Sequence, residues 1–511
     1  MSLRTRAITI SFLASAASVG ATPGDTKMIV PHPTPSDGIA APVLFINRCT
    51  GGCPVTGSPA DDASANTSSV PCVGTLTCGV GGCMCSQVGG TWTVSEFQNN
   101  AGMAGSAADA EWNQIMQCVR EVYSPYAVTV TDVRPTGGVS FTEGILAGIP
   151  EDIGLSSQQT GGVAPARYSN DCGPKSNVIS FSFANLSFYR GPGRVFVLCG
   201  VVAQETAHAF GLDHEYTFTD MTSACRSPMS YRQDCGGEKF FRGIPANCGE
   251  YANRPCQCGG LQASHKKLLS VLGPGTPITA PPHLTVTQPA PGATIPNGQS
   301  VLVSAGAQRG VARVELWLNN HRWAQASGAA WQQQGQPDPS SYVLVFPATV
   351  PDGVIDLDVK AFDDIESETD APTITVTKGA PCTSAATCLA GQKCETGKCF
   401  WDPPTGELGD ACTFNEFCVS GICNGPADKP LCTQDCVVGS LDACPMGYDC
   451  LPTSETGGIC YPAGATGGCP CNAGPTSTGA LVAHGGLAAM ILSLLVRRRK
   501  RCELSDSRSR S

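Results

Sequence analysis

Apolar positions in the first half of the chain predict helices and strands in alternation. Residues 108–123 predict a helix, because four apolar residues are spaced at i, i+3, i+4 and i+7: Trp112, Ile115, Met116 and Val119. The sequences AVTVTDV at 127–133 and VISFSF at 178–183 predict strands. Residues 198–210 are apolar on most sides and predict a buried helix, and residues 261–272 predict a closing helix.

Residues 283–378 carry the alternation of apolar and polar side chains that is typical of strands. The alternation is clearest at 314–318 and 355–361, and residues 343–346 and 374–376 predict two shorter strands. Short strands separated by Gly, Pro and Asn turns predict a β-sandwich. The stretch at 311–376, which contains no cysteine, resembles bacterial Ig-like repeats, and the resemblance implies a spacing or adhesive role. The simpler alternative is a stalk that binds no ligand.

The cysteines indicate an exported protein. The chain has 511 residues and 29 cysteines, and a reducing cytosol would leave so many as reactive thiols. Fourteen lie between Cys49 and Cys258, and twelve between Cys382 and Cys460. Even numbers in each block favour disulfides closed within domains. The second block therefore predicts a disulfide-stapled module at 379–461, with little core of its own.

The two termini agree with export. Residues 1–21 have the basic start, apolar middle and small-residue end of a signal peptide. Residues 477–496 are uncharged and predict a transmembrane helix, followed by five basic residues at 497–501 that favour a cytoplasmic end. The net charge of -10 and the pI near 5.2 exclude a nucleic-acid binder by bulk charge.

The C-terminal region at 462–511 resembles the MYXO-CTERM sorting tag. The order is a Gly-Cys pair at Gly468-Cys469, a spacer, one membrane helix and an Arg cluster. The resemblance implies processing near Cys469, which would leave the protein anchored at the cell surface or released from it. The alternative for Cys469 is a further disulfide, with Cys471 as one candidate partner.

Residues 22–85 contain six cysteines and precede the predicted helices, so they are interpreted as a Cys-rich N-terminal segment or a pro-segment. Inhibition by a cysteine thiolate would require one unpaired cysteine, and Cys49 is the candidate. The even count favours a disulfide there instead.

A second kind of pattern lies in the sequence QETAHAFGLDH at 204–214. Gln204 and His208 are one helical turn apart, so their side chains can reach one metal ion. Gly211 can adopt a left-handed conformation and turn the chain after the helix. His214 can then return to the same metal as a further ligand.

This segment and the later sequence Pro228-Met229-Ser230-Tyr231 resemble the metzincin zinc-protease signature, HExxHxxGxxH followed by a Met-turn. The resemblance implies an α+β domain at 86–272 with one catalytic zinc ion, and a substrate cleft that binds extended peptides along an edge strand. It implies Glu205 as the general base and His208 and His214 as ligands. Met229 would form the floor below the metal, and Tyr231 would bind the metal weakly or stabilise the oxyanion.

The first ligand position departs from this pattern, because Gln204 stands where the family has His. An amide offers only a neutral carbonyl oxygen, which suits hard cations better than zinc. The site could be completed by Gln204, by Tyr231 or by another side chain, with Asp213 and Glu215 as candidates by proximity.

Two functions follow for this multidomain chain, which combines the α+β domain, the all-β sandwich, the disulfide-rich module and one transmembrane helix. The first is a cell-surface zinc metalloendopeptidase that acts on protein or peptide substrates and is held at the membrane by its C-terminal helix. The alternative is a surface adhesion or binding protein whose metzincin-like domain is inactive.

Overall fold

The computed structural model describes residues 42–79, 82–156, 160–165, 173–219, 221–232, 235–257, 259–328, 341–438, 444–454 and 457–463. The predicted signal peptide at 1–21, the sorting residue Cys469 and the predicted membrane helix at 477–496 lie outside these residues. Within the described part of the chain, no helix is both long and apolar enough to cross a bilayer. The chain divides into two compact units, residues 1–402 and 403–511.

The described residues of the first unit begin with an α/β region, in which they form twelve strands and three α-helices. Its helices are α1 (Asp109–Tyr123), α2 (Arg194–Ala209) and α3 (Ser264–Leu272). Its strands are β1 (Val43–Asn47), β2 (Cys53–Gly57), β3 (Thr67–Ser68), β4 (Leu76–Gly79), β5 (Gly82–Cys85), β6 (Thr91–Val94), β7 (Thr129–Thr131), β8 (Phe141–Leu146), β9 (Gly162–Val163), β10 (Ile179–Ser182), β11 (Glu215–Phe218) and β12 (Ala246–Cys248).

A five-stranded sheet with the order β7-β1-β8-β10-β9 organises this region. Four of the strands run parallel, and the edge strand β9 is antiparallel to β10. Strand β1 lies inside the sheet, where Val43 pairs with both Thr129 and Phe141. The predicted boundary between a segment at 22–85 and a domain at 86–272 separates β1 from the strands that pair with it on either side.

Both main helices were predicted by the apolar pattern. Helix α1 buries Trp112, Ile115, Met116 and Val119, the four residues that define its period. Helix α2 begins at Arg194, four residues before the predicted start at 198, because tertiary contacts hold its charged first residue. The buried Arg194 guanidinium binds Glu111 at 3.0 Å and donates to the carbonyl oxygen of Ala184 at 2.8 Å.

Disulfides join elements of this region that are distant in sequence or close a loop. Cys118–Cys199 connects α1 to α2, which pack against each other. The other described bridges are Cys49–Cys53, Cys72–Cys85, Cys225–Cys235 and Cys248–Cys256. Cys49 is therefore disulfide-bonded, so it does not supply the inhibitory thiolate considered from the sequence.

The Ig-like sandwich follows within the same unit, and its two sheets have the orders β13-β14-β17 and β16-β15-β18-β19, with β20 also paired to β18. Apolar residues of alternate positions fill the space between the sheets, as the period of two predicted. The strands are β13 (His283–Gln288), β14 (Ser300–Gly306), β15 (Arg313–Leu318), β16 (His321–Ser327), β17 (Ser341–Val345), β18 (Gly353–Phe362), β19 (Glu368–Asp370) and β20 (Ile374–Lys378).

A buried ion cluster joins the sandwich to the α/β region. Arg309 and Asp364 come from loops of the sandwich, and Arg242 precedes α3 in the α/β region. Asp364 lies 2.9 Å from the Arg309 Nε and 3.2 Å from an Arg242 nitrogen, and all three side chains are about 1% exposed. Arg309 also donates to the carbonyl oxygen of Phe241 at 3.0 Å. The sandwich is thus packed against its neighbour rather than held apart as a spacer.

The Cys-rich region contains three repeats of one disulfide pattern that the sequence reading did not resolve. Within each set of four cysteines, the first pairs with the third and the second with the fourth. The pairs are Cys382–Cys394 with Cys388–Cys399, Cys412–Cys423 with Cys418–Cys432, and Cys436–Cys450 with Cys444–Cys460. The first repeat belongs to the first unit, so the predicted single module at 379–461 is divided at residue 402.

Short strands connect the cysteines of these repeats. In the first unit they are β21 (Lys393–Glu395) and β22 (Lys398–Phe400), which pair with each other. In the second unit they are β23 (Cys423–Asn424), β24 (Leu431–Cys432), β25 (Asp435–Val437), β26 (Tyr448–Pro452) and β27 (Gly457–Pro462). Because the strands are so short, the disulfides provide much of the constraint.

Replacement of Asp364 should destabilise the first unit strongly. Asp364→Ala leaves Arg242 and Arg309 buried without their anion, which costs about 3–5 kcal/mol. In calorimetry we expect the melting temperature of the unit to fall by on the order of 10 °C. The control is Asp370→Ala, because Asp370 pairs with Lys360 at the surface of the same sandwich. Equal melting temperatures for the two variants would contradict a structural role for the buried cluster.

Candidate functional site

Helix α2 carries the first part of the candidate site. Gln204, Glu205 and Thr206 are buried within it, although they are polar, and His208 follows one turn after Gln204. The helix ends at Ala209, and Gly211 adopts a φ of 98°, which turns the chain as the sequence predicted. The chain then enters β11 directly after His214.

The two histidines and Tyr231 are brought together. The ring centroids of His208 and His214 are 4.6 Å apart, and those of His214 and Tyr231 are 4.5 Å apart. The Tyr231 hydroxyl lies 3.4 Å from the Nε2 atom of His214. Met229 is fully buried in the core of the region, where it packs with the other apolar side chains.

The orientation of His208 is fixed by the turn that follows the helix. Its Nδ1 atom lies 2.8 Å from the carbonyl oxygen of Leu212, an acceptor. A neutral imidazole that donates from Nδ1 keeps Nε2 as its basic nitrogen. This hydrogen bond to a carbonyl is the usual way in which a ligating histidine is oriented.

Glu205 is enclosed by the edge strand and by its neighbour in the helix. The Gln204 amide donates from Nε2 to the Glu205 Oε1 at 3.3 Å. A Cβ atom added to Gly162 in β9 would lie only 2.6 Å from that same oxygen. Burial raises the pKa of Glu205 to about 8, against the opposing effect of the Gln204 hydrogen bond. Burial also raises the pKa of Tyr231, and the nearby Glu205 charge adds to this effect.

A polar network of neighbouring side chains holds the backbone segment that contains His214. Asp213 accepts a hydrogen bond from the His214 backbone N–H at 2.8 Å and forms a bidentate ion pair with Arg254, at 2.6 and 2.7 Å. Gln262 donates to the Asp213 carbonyl oxygen at 2.8 Å. Burial lowers the pKa of His214 to about 4, so its imidazole is neutral at pH 7.

Glu215 fastens the same segment to the Met-turn. Its carboxylate accepts from the Ser227 hydroxyl at 2.5 Å and from the Gln262 amide at 3.2 Å. Burial raises the pKa of Glu215 to about 7. Asp213 and Glu215 were considered as additional metal ligands by proximity, but the structure directs both carboxylates to these structural partners.

One separation within the set formed by His208, His214 and Tyr231 matches that of two ligands on one metal ion. Two ligands at ~2.0–2.1 Å from a tetrahedral zinc ion are about 3.4 Å apart. The separation of the Tyr231 hydroxyl from His214 Nε2 has this value, and it is long for a hydrogen bond. Among the described residues, no further His, Cys, Asp or Glu forms a cluster with both histidines.

Other clusters in the described chain have a geometry that could hold a metal ion. Three consist of cysteines in the repeats, and the fourth consists of Asp213, Cys248 and Cys256. Every cysteine in these clusters is disulfide-bonded. A cysteine binds a metal as a thiolate, so these clusters could bind a metal only after their disulfides were reduced.

The comparisons with known proteins identify the sandwich. Residues 282–345 match the bacterial Ig domain family, so this part of the chain is a bacterial Ig-like domain. A solved structure of Clostridium thermocellum CbhA fibronectin(III)-like modules shares 16% identity, with a TM-score of 0.15. That match covers 19% of this chain and 46% of the other, so it spans less than half of that structure. None of the curated proteins matches this chain.

Sequence reasoning did not identify Gly162, Arg254 or Gln262 as parts of the site. Gly162 lies in a two-residue strand, which gives no recognisable period. Arg254 and Gln262 are more than 40 positions from Asp213, and no pattern in the sequence pairs them. Their proximity to Asp213 becomes apparent only in the folded structure, where β11 pairs with β12.

Substitution of Gly162 should disturb Glu205 specifically. Gly162→Ala places a methyl group against the buried carboxylate and should destabilise the region by about 1–3 kcal/mol. Gly260→Ala is the matched control, because a Cβ atom there would meet nothing within 4 Å.

Thermal unfolding of the double variant tests this assignment. If the contact with Glu205 is responsible, Gly162→Ala should cost much less in a Glu205→Ala background, where the crowded side chain is shortened. Independent, additive effects of the two substitutions would show that Gly162 has another role.

Proposed function

We propose that the chain is a metzincin-like, zinc-dependent metalloendopeptidase that acts at the cell surface. The observation that carries the proposal is the convergence of His208, His214 and Tyr231 beside the buried Glu205. A carboxylate next to a set of three possible ligands is the arrangement required for metal-assisted hydrolysis.

The surrounding topology supports the proposal. Helix α2 packs against β8 and β10, and the antiparallel edge strand β9 lies over Glu205. A metzincin-like domain is expected to have a buried active-site helix beside a sheet, with an antiparallel strand at the edge of the cleft. An extended peptide bound along this edge would bring its backbone close to Glu205 and Tyr231.

His208, His214 and Tyr231 would hold the ion in this proposal. A zinc ion bound by them would polarise the scissile carbonyl and acidify a water molecule. In its ionised form, Glu205 would accept the proton of the attacking water at its carboxylate and later deliver it to the leaving amine. The Tyr231 hydroxyl would also be placed to donate to the oxygen of the tetrahedral intermediate.

Gln204 takes a different role from the histidine that the family has at this position. Its amide nitrogen points to Glu205, so it orients the general base through a hydrogen bond. The amide oxygen of Gln204 remains as a further, weaker ligand. Fewer nitrogen ligands should lower the affinity for zinc compared with a three-histidine site.

The second candidate is an inactive surface adhesion or binding protein with the same fold. The presence of Gln204 and the complete burial of Glu205 favour it, because both differ from a site with three histidine ligands and a solvated base. Both candidates place the protein outside the cell, with a membrane anchor at the predicted C-terminal helix or release after processing at Cys469.

Metal content and peptide hydrolysis distinguish the two candidates. The full chain should retain about one zinc ion after dialysis and cleave casein, and a chelator should abolish the cleavage. Glu205→Gln should keep the metal but lower kcat by on the order of 10²–10⁴, since it removes the general base. Glu366→Gln is the control, because Glu366 is an exposed residue of the sandwich.

Gln204→His reports on the ligand set. This variant should bind zinc more tightly than the wild-type chain, because an imidazole nitrogen replaces an amide oxygen. A wild-type chain without zinc or hydrolysis, together with a Gln204→His variant that gains zinc, would refute the enzyme and support the binding protein.

A further inference from the structure

The candidate site continues outward as a row of aromatic rings. His208, His214 and Tyr231 are followed by Tyr251, whose ring centroid is 5.8 Å from that of Tyr231 in an edge-to-face arrangement. Tyr231 is 41% exposed and Tyr251 is 81% exposed. The row therefore connects the half-buried histidines to an aromatic surface at the rim of the site.

The loop that carries Tyr251 is fixed rather than loosely attached. Its ends are joined by the disulfide Cys248–Cys256, so only seven residues lie between the bridged positions. Inside the loop, the Arg254 backbone N–H donates to the Cys248 carbonyl oxygen at 2.7 Å. A side chain on such a closed loop loses little conformational entropy when it binds a ligand.

This loop is attached directly to the segment of His214. The backbone N–H of Gly249 donates to the His214 carbonyl oxygen at 3.0 Å. The Arg254 guanidinium forms its bidentate ion pair with Asp213, and Thr217 donates to the Asn253 side chain at 2.7 Å. These contacts keep the position of Tyr251 constant with respect to the histidines.

The chemistry of the rim favours one class of substrate side chain. The Glu250 carboxylate beside Tyr251 is paired with Arg254 at 2.6 Å, but Arg254 also binds Asp213, so two carboxylates share one guanidinium and an acidic substrate side chain is disfavoured at the rim. Two tyrosine rings in an edge-to-face pair can accept a third aromatic ring in the same geometry. Aromatic contacts of this kind contribute about 0.5–1.5 kcal/mol beyond burial of area, which corresponds to roughly a 2- to 13-fold effect on binding.

We propose that Tyr251 and Tyr231 form an aromatic rim that selects peptides with an aromatic side chain near the scissile bond. Tyr251 is then a specificity-determining residue that touches the substrate but takes no part in the proton transfers. The inference rests on the proposed peptidase function for its position in a reaction, whereas binding of the peptide requires only the rim itself.

The test uses the full chain and a set of alanine-based hexapeptides with one Phe, Leu or Glu placed at each position in turn. Tyr251→Ala should lower kcat/KM for the preferred Phe peptides about 3- to 10-fold and change the all-alanine peptide less than twofold. Tyr251→Phe should retain the preference, because the ring is kept. Val133→Ala is the control, since Val133 is 73% exposed and follows β7, at the edge of the sheet opposite β9.

Binding measured by calorimetry separates this inference from the proposed catalysis. In a Glu205→Gln background, Phe peptides should bind more tightly than Glu or Ala peptides, and Tyr251→Ala should remove that difference. A chain that binds Phe peptides in this way but cleaves nothing supports the rim and refutes the peptidase. Cleavage or binding without a Phe preference, or with a preference that Tyr251→Ala leaves intact, overturns the rim. Absence of both binding and cleavage overturns both proposals.

Discussion

The structure depends on the hydrogen bonds that satisfy the polar side chains of helix α2 in the buried core. Gln204, Glu205 and Thr206 are all buried, and an unpaired polar group at such a depth is strongly unfavourable. Each one has a hydrogen-bond partner: Gln204 binds Glu205, and Thr206 contacts the Tyr123 hydroxyl of α1 at 2.7 Å. The close approach of β9 and the absence of a side chain at Gly162 follow from the volume that Glu205 requires.

The same constraint continues beyond the helix. The segment after Gly211 must return toward α2 so that His214 lies next to His208. The polar backbone groups of this segment must then find hydrogen-bond partners outside the helix. The segment is held by a polar network that consists of Asp213, Glu215, Arg254, Gln262 and Ser227. The acidic residues on both sides of His214 therefore stabilise the geometry of the site from outside the ligand set.

Much of the fold was predictable, but only where a period extended over several turns or residues. Helix α1 and strands β15 and β18 of the Ig-like sandwich were recognised because their apolar faces repeat, and α2 because it is apolar on most sides. Strand β1 was missed because a single five-residue apolar run in a Gly- and Cys-rich segment does not reveal its partners. In the site, sequence spacing placed His208 and His214 together, whereas the directions of Asp213 and Glu215 were set by residues more than ten positions away.

The Ig-like domain also makes a buried contact with the α/β region that its sequence did not indicate. Arg309 lies in a loop of the sandwich, where it is buried against Phe240 and binds Asp364 and the backbone of Phe241. Two guanidinium groups are buried on one carboxylate here, so loss of that carboxylate would leave two uncompensated cations in the interior. The sandwich therefore contributes to the stability of the α/β region, and it cannot be regarded as a detachable stalk.

The disulfide between Cys118 and Cys199 has a consequence for a protein that is proposed to act as a peptidase outside the cell. It spans 81 positions of the chain and joins the two helices on which the core is built. If the backbone is cut once in the long connection between these helices, the two fragments stay covalently linked, and the buried face shared by α1 and α2 keeps them in register. A nicked molecule would then migrate as one species until it is reduced, so a break in the chain need not mean loss of the folded domain.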